Sequence, residues 1–353
     1  MAISKKIKVL IVDDSALVRK ILKDGLSADP DIEVIGTARD PYQARDILVL
    51  KRPDVITLDV EMPRMDGVTF LKKFMPVYPT PTVMVSSLTE RGKKITIEAL
   101  EAGAVDIVTK PRTGISDDLP RMLKEIRQKV KQAAKVDLSR FAKQKKIVPS
   151  VIKPLRATKA LDESTDKVIA IGASTGGTEA LARILPAFPR ISPGIVIVQH
   201  MPEGFTRSFA ERLDSLCQMK VKEAQDNDRV LPGLCLVAPG GARHMEIIRS
   251  GGQYRVHLKT GEKVSGHRPS VDVLFHSVAV NAGKNAAAAL MTGMGRDGAD
   301  GLLAIRNAGG RTLAQDEPTC VVFGMPRAGW ENGGAEMLVP LQNIPSVLLN
   351  MIE

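Results

Sequence analysis

The chain has 353 residues, 44% hydrophobic and 25% charged, which suits two globular domains rather than a disordered or fibrous protein. No run of about 18 apolar residues occurs, and the apolar stretch near the N-terminus is too short for a signal peptide and runs into acidic residues, so a cytoplasmic protein that is not membrane-inserted is expected. The net charge of +10 invites a nucleic-acid reading, but residues 132–165 carry eight Lys or Arg against three Asp or Glu, half of the excess, in a segment without apolar periodicity; a solvated tether explains it better than a nucleic-acid partner.

In the first half, IKVLIV (7–12), DVITL (54–58), TVMV (82–85) and AVDIV (104–108) are short apolar, β-branched runs. Helix-like segments lie at 15–28, 41–51, 66–75 and 91–102, and an amphipathic helix near 117–134 closes the unit. Strands alternating with helices predict a parallel sheet with right-handed crossovers. Asp13 and Asp14 follow the first run and Asp59 follows DVITL, so all three fall on the ligand-binding edge of such a sheet. Three carboxylates brought together repel unless a cation neutralises them, and oxygen ligands with open positions suit Mg2+. Lys110 adds a point charge for a phosphoryl oxygen, and Ser86 a hydroxyl, at the same edge.

The segments VDDS, LDVEMPRMDG, MVSS and TKP, in this order, resemble the response-regulator receiver family over roughly residues 5–128. The resemblance implies a flavodoxin-like fold and phosphorylation of Asp59 by a histidine kinase. It also implies Mg2+ on Asp13, Asp14 and Asp59, Ser86 as the switch hydroxyl, Lys110 as the phosphate partner and a cis Lys110–Pro111 bond. Ile107 and Val108 stand where many receivers carry an aromatic switch residue, so a rotamer switch of that kind is not expected.

The second half starts a new α/β unit. KVIAIGAS (167–174) leads into a Gly-rich turn and a helix from Thr178, and GIVIVQH (194–200), CLVAP (235–239), AAAALMTG (286–293) and RTLAQ (311–315) follow as buried runs. Ser174 stands at a strand tip before a helix N-terminus, where small neighbours admit a substrate and free N–H groups favour developing negative charge. A phosphate would be served equally well, but GASTGG is not the dinucleotide fingerprint, and the next strand ends in His200 rather than the acid a ribose needs. An imidazole there takes a hydroxyl proton near pH 7, and Asp297, past AAAAL, is placed to orient it. The order Ser, His, Asp and the missing G-x-S-x-G elbow exclude the common α/β-hydrolase arrangement.

IGASTGG, VIVQHMP, LVAPGGARHM, HRPSVDVLF, LMTGMGRDG and AQDEPTCVVFGMPR are similar to the catalytic domain of the chemotaxis protein-glutamate methylesterase family (CheB) over about 166–350. The resemblance implies a response regulator with a receiver at 1–131, a basic flexible linker at 132–165 and a Rossmann-like methylesterase domain at 166–353, both domains being doubly wound parallel sheets. It implies Ser174 as nucleophile, His200 as general base, Asp297 as orienting acid, and an oxyanion hole of backbone N–H groups near Thr175 and Met294. Its substrates would be methylated glutamates on methyl-accepting chemoreceptors, with certain receptor glutamines deamidated as well. The hydrolase would need no cofactor, and a monomer is expected.

His244 and His267, which lie in these motifs, are candidates for lining the cleft, while His257 and His276 are expected to be structural or superficial, and Met201, Met294 and Met325 to be packing and cleft walls. Arg268 and Arg296 are candidates for steering an acidic receptor. Three cysteines without CxxC spacing (Cys217, Cys235, Cys320) argue against a disulfide or zinc framework. The alternative is an output domain that binds DNA or a protein without catalysis. It is disfavoured by a Gly-rich second half with no basic recognition helix.

Overall fold

The computed structural model describes residues 5–87, 89–110, 115–136, 138 and 166–352. The chain divides into two units, Met1–Lys146 and Ile147–Glu353, each built on its own sheet.

In the first unit, β1 (Ile7–Val12), β2 (Ile32–Ala38), β3 (Val55–Asp59), β4 (Thr82–Ser86) and β5 (Asp106–Thr109) pair in parallel in the order β2-β1-β3-β4-β5. Strands β3 and β4 are buried along their whole length, as a sheet covered by helices on both faces requires. The helices are α1 (Ala16–Ser27), α2 (Pro41–Lys51), α3 (Gly67–Phe74), α4 (Glu90–Glu101) and α5 (Ile115–Ala133). The first four are started by Ser15, Asp40, Asp66 and Thr89, whose side chains accept hydrogen bonds from otherwise unpaired first-turn N–H groups. The apolar-run criterion leaves β2 out: it is an edge strand, only partly buried, and Gly36 interrupts it. It also ends two runs early, since Asp59 and Ser86 are the last residues of β3 and β4 rather than residues beyond them. From β1 the chain crosses over to β2 on one side, and from β3 to β4 on the other. The crevice opened by this reversal lies at the C-terminal ends of β1 and β3.

The second unit has β6 (Val168–Ala173), β7 (Gly194–Gln199), β8 (Lys220–Glu223), β9 (Leu234–Val237), β12 (Ala286–Leu290), β13 (Arg311–Gln315) and β14 (Met337–Val339). They form one parallel sheet in the order β14-β13-β12-β6-β7-β9-β8. Helices α6 (Gly177–Ile184), α7 (Phe205–Asp214), α8 (Val271–Asn281), α9 (Ala299–Asn307), α10 (Met325–Glu331) and α11 (Ile344–Ile352) accompany it. Here the reversal falls between β6 and β12. Aromatics are scarce, yet four of the eight phenylalanines, Phe188, Phe205, Phe209 and Phe275, are fully buried in this unit and anchor a core otherwise made of Val, Ile, Leu, Ala and Met. Helix α8 lies against β6 at Gly172, where a methyl group would meet Val271 Cγ1 at 2.2 Å, and against α9 at Gly301, where one would meet Phe275 Cβ at 2.5 Å.

β8 (KVKE) and β14 (MLV) are too polar or too short to stand out as apolar runs, and a hairpin escapes the sequence reading as well. β10 (Arg243–Ser250) and β11 (Gln253–Thr260) form an antiparallel hairpin outside the main sheet. Met245, Ile247, Tyr254, Val256 and Leu258 turn inward in alternation with polar residues, so no continuous apolar run marks it. Gly251 and Gly252, both at positive φ (57° and 78°), make its two-residue turn.

Candidate active site and phosphorylation site

At the β1/β3 crevice the three predicted acids come together: one carboxylate oxygen from each of Asp13, Asp14 and Asp59 lies within 4.8 Å of the others. Asp13 and Asp59 are buried and Asp14 is exposed. Lys110 Nζ sits 2.9 Å from Asp13 Oδ2 and 2.8 Å from Asp59 Oδ2. Burial pushes the Asp59 carboxyl up to about 6; the Lys110 ammonium opposes this and the Asp13 charge adds to it. Lys110 is held above its usual value, because the attraction of Asp59 and Asp13 outweighs the burial that disfavours its charge. Asp13 Oδ1 accepts from the Ser15 N–H at 2.9 Å, whereas Oδ2 takes the Lys110 ion pair and no well-aimed hydrogen bond. Three oxygen donors, two of them buried and one under-satisfied, are a donor set that fits a hard divalent cation.

Ser86 shares this edge, since Asp59 and Val85 are register partners. Its hydroxyl is buried and turned to α4: Thr96 Oγ1 lies at 2.7 Å, and Ser86 Oγ donates to Ser87 O at 3.1 Å. No sequence motif marks Arg19, which donates to the carbonyls of Asp13 (2.7 Å) and Asp14 (2.9 Å) and so fixes the acidic turn. Nor did it mark Glu61, which accepts from Ser87 Oγ at 2.9 Å. The expected cis Lys110–Pro111 bond lies outside the described residues, as does most of the basic segment 132–165.

In the second unit, Ser174 and His200 leave adjacent strands side by side. Ala173 and Gln199 are register partners, and the His200 N–H donates to Ala173 O at 3.1 Å. The loop after β12 brings Asp297 to them, with Oδ2 2.7 Å from His200 Nε2. Asp297 is 1% exposed and sits at the N-terminus of α8. Ser270 Oγ donates to Oδ1 at 2.7 Å, the Val271 N–H to Oδ2 at 2.8 Å and the Asp272 N–H to Oδ1 at 3.2 Å. Burial alone would raise the Asp297 carboxyl, but the hydrogen bond and charge of His200, with Ser270 and Val271, bring it down to about 2. An ionised Asp297 can only accept, so His200 Nε2 carries the proton and Nδ1 keeps its lone pair. Nδ1 is buried and makes no hydrogen bond among the described residues. The rings of His200 and His267 stack at 3.7 Å, nearly parallel at 4°.

Ser174 is pinned through its backbone. Its N–H donates to Thr292 O at 3.0 Å, and its carbonyl accepts from Gln199 Nε2 at 2.9 Å and from the Gly177 N–H at 2.7 Å. Among the described residues its Oγ has no hydrogen-bond partner, so the contact with His200 is open in this structure. Gly293 lies so close that a methyl there would stand 2.8 Å from Ser174 Cβ and 2.3 Å from Met325 Sδ; only glycine fits. Nearby, the N–H groups of Thr175 and Met294 donate to no protein acceptor among the described residues. Thr292, which sequence reasoning missed, is the hub behind them. Its hydroxyl donates to Thr175 O at 3.0 Å and accepts from the N–H groups of Val321 (3.1 Å) and Val322 (3.0 Å).

Other expectations change. His244 does not line the cleft: it is buried, with Nε2 2.8 Å from Glu262 O. Arg268 is occupied with the carbonyls of Gly241 (2.8 Å) and Gly261 (2.6 Å), and Arg296 pairs with Asp300 at 2.8 Å, so neither guanidinium is uncommitted. His257 and His276 are exposed, Met201 and Met325 buried, and Met294 half-buried, as expected. All three cysteines are free thiols, and burial pushes Cys217 up to about 12, which leaves it unreactive near neutral pH.

Comparison with known proteins identifies the family of each unit. The CheB methylesterase family model matches residues 169–348, and that of the response regulator receiver domain residues 9–124. A protein-glutamate methylesterase/protein-glutamine glutaminase of Syntrophotalea carbinolica is 57% identical over 99% of this chain and 98% of its own. One from Pseudomonas aeruginosa is 56% identical over 97% of this chain and 96% of its own. The crystal structure of the Thermotoga maritima CheB methylesterase catalytic domain is 40% identical, with a TM-score of 0.52 over 53% of this chain and 99% of that one. A DNA- or protein-binding output domain is not favoured. With one fold on each side of the basic segment and full-length relatives of the same make-up, the chain belongs to the CheB methylesterase family of receiver-linked protein-glutamate methylesterases and glutaminases.

Proposed function

We propose that Ser174, His200 and Asp297 form the catalytic triad for hydrolysing glutamate methyl esters and glutamine side-chain amides on chemoreceptors. The observation that carries this reading is the direction of the hydrogen bond between His200 and Asp297, which leaves Nδ1 as the free base on a residue that follows the strand beside Ser174. Nδ1 takes the Ser174 hydroxyl proton as Oγ adds to the ester carbonyl. The N–H groups of Thr175 and Met294 receive the oxyanion. The imidazolium, stabilised by Asp297, returns the proton to the departing methoxide, and methanol leaves. Nδ1 then deprotonates a water that cleaves the acyl-enzyme, restoring Ser174 and a glutamate carboxylate. With a glutamine substrate the same steps release ammonia. These proton transfers are complete without a metal.

In the receiver, Asp59 is the phosphoryl acceptor from a histidine kinase. Its carboxylate attacks the phosphorus of the kinase's phosphohistidine, the P–N bond breaks and the imidazole leaves, giving an acyl phosphate; Lys110 binds a phosphoryl oxygen, and Ser86 swings from Thr96 to donate to another. Asp13, Asp14 and Asp59 would hold Mg2+, which when bound offsets the charge of the carboxylates and the phosphoryl group. No helix among the described residues is long and apolar enough to cross a membrane, which accords with a cytoplasmic enzyme acting on receptor segments exposed there. Methanol and ammonia release from methylated receptor membranes tests the assignment. Ser174→Ala must abolish both; retention of either at the wild-type rate overturns it.

A further inference from the structure

Asp297 is not held by its own loop. Its carboxylate is received by the start of α8, where the hydroxyl of Ser270 donates to it. Ser270 is fully buried, so it cannot touch substrate. Its hydroxyl proton goes to Asp297 Oδ1 at 2.7 Å, while the same oxygen caps α8 through the Val273 N–H at 3.4 Å. Its backbone is fixed in turn, because the Ser270 N–H donates to His244 Nδ1 at 3.2 Å. That leaves His244 Nε2 as the protonated nitrogen, donating to Glu262 O at 2.8 Å. Donor and acceptor are thereby settled at every link, from Glu262 through His244, Ser270 and Asp297 to His200. Without the Ser270 hydroxyl, Oδ1 keeps only the longer contact to the Asp272 N–H, so the carboxylate is held less firmly and its bond to His200 is less well aimed.

We infer that Ser270 is a positioning residue for the esterase reaction, its buried hydroxyl holding Asp297 in the orientation that keeps His200 Nδ1 available as base. The inference rests on the triad reading above. Because Ser270 acts behind the site, its loss falls on kcat and not on KM. A hydrogen bond to a charged acceptor is removed, so the drop in kcat is about tenfold to a hundredfold.

The test uses the full-length protein and methylated receptor membranes. Ser270→Gly removes the hydroxyl and keeps an acceptable helix start. Ser270→Cys keeps the volume and offers only a weak donor. The expected result is a lowered kcat at unchanged KM in both, smaller for cysteine. The far-downfield proton resonance of the His200–Asp297 hydrogen bond should shift or vanish, while the thermal midpoint stays near wild type. A kcat within twofold of wild type in either variant, or a loss confined to KM, overturns the inference. Asp297→Ala run in parallel separates the two readings: if it is active the triad fails, and if it is inactive while Ser270→Gly is active only the role of Ser270 fails.

Discussion

Replacing Asp297 by asparagine tests how the triad carboxylate works. Each carboxylate oxygen faces a backbone donor, the Asp272 N–H at 3.2 Å on Oδ1 and the Val271 N–H at 2.8 Å on Oδ2. An amide must therefore set its NH2 against one of them. The longer contact gives way more cheaply, and the Ser270 hydroxyl on that side can reverse and accept. The amide oxygen then stays where Oδ2 was and still accepts from His200 Nε2. The tautomer survives, and what is lost is the negative charge opposite the imidazolium. The carboxyl is lowered from 3.8 to about 2 by these partners against burial, a net interaction on the order of 2 kcal/mol, or roughly thirtyfold to sixtyfold. Methanol release from methylated receptor membranes should fall by about that factor in kcat. If the amide turned the other way, His200 would be forced into the wrong tautomer and the loss would approach about 10⁴, the size seen when that happens in another serine hydrolase. An unchanged rate would refute the reasoning altogether. The same substitution alters acid stability. The folded carboxyl lies below its unfolded value, so its contribution is present above about pH 4 and is lost as pH falls through about 2. The asparagine variant should lack that part of the acid transition in circular dichroism.

Ser174→Ala should remove esterase and amidase activity together, by about 10⁶-fold on the precedent of another serine hydrolase, and His200→Ala should cost nearly as much; a surviving amidase would mean two separate mechanisms. Asp59→Asn should block labelling by acetyl phosphate and all stimulation by it while basal methanol release persists, and chelating divalent cations should mimic it; undiminished labelling would place the acceptor elsewhere. Deleting residues 1–140 should give a catalytic fragment faster than the unphosphorylated whole protein and indifferent to phosphodonor. A folded fragment no faster than the parent would favour a receiver that assists over one that restrains.

Both crevices were legible in the sequence because each key residue ends or follows a buried β-branched run, and parallel strands bring their ends to one edge. Asp59 after VITL and His200 after GIVIVQ were found that way. Asp297 was readable only as a carboxylate past AAAAL; that it is seated on α8 depends on the chain folding back across 25 residues or more to Ser270 and Asp272. His244 shows the limit well. It sits on a hairpin whose alternating pattern was not recognised, so its burial and its link to Ser270 had no sequence signature. Ser86 was placed on the right edge, yet its partner Thr96 belongs to α4, and nothing in a one-dimensional pattern tells which way a hydroxyl turns.

The glycine contacts of α8 carry a further consequence. At Gly172 and Gly301 the support brings no side chain of its own, so Val271 and Phe275 of α8 lie directly on bare backbone. The donors that grip Asp297 are thus spaced from the strand by one short, β-branched side chain, that of Val271, seated on a glycine. A single methyl at either glycine would act as a shim, lifting α8 and carrying the carboxylate's seat away from His200.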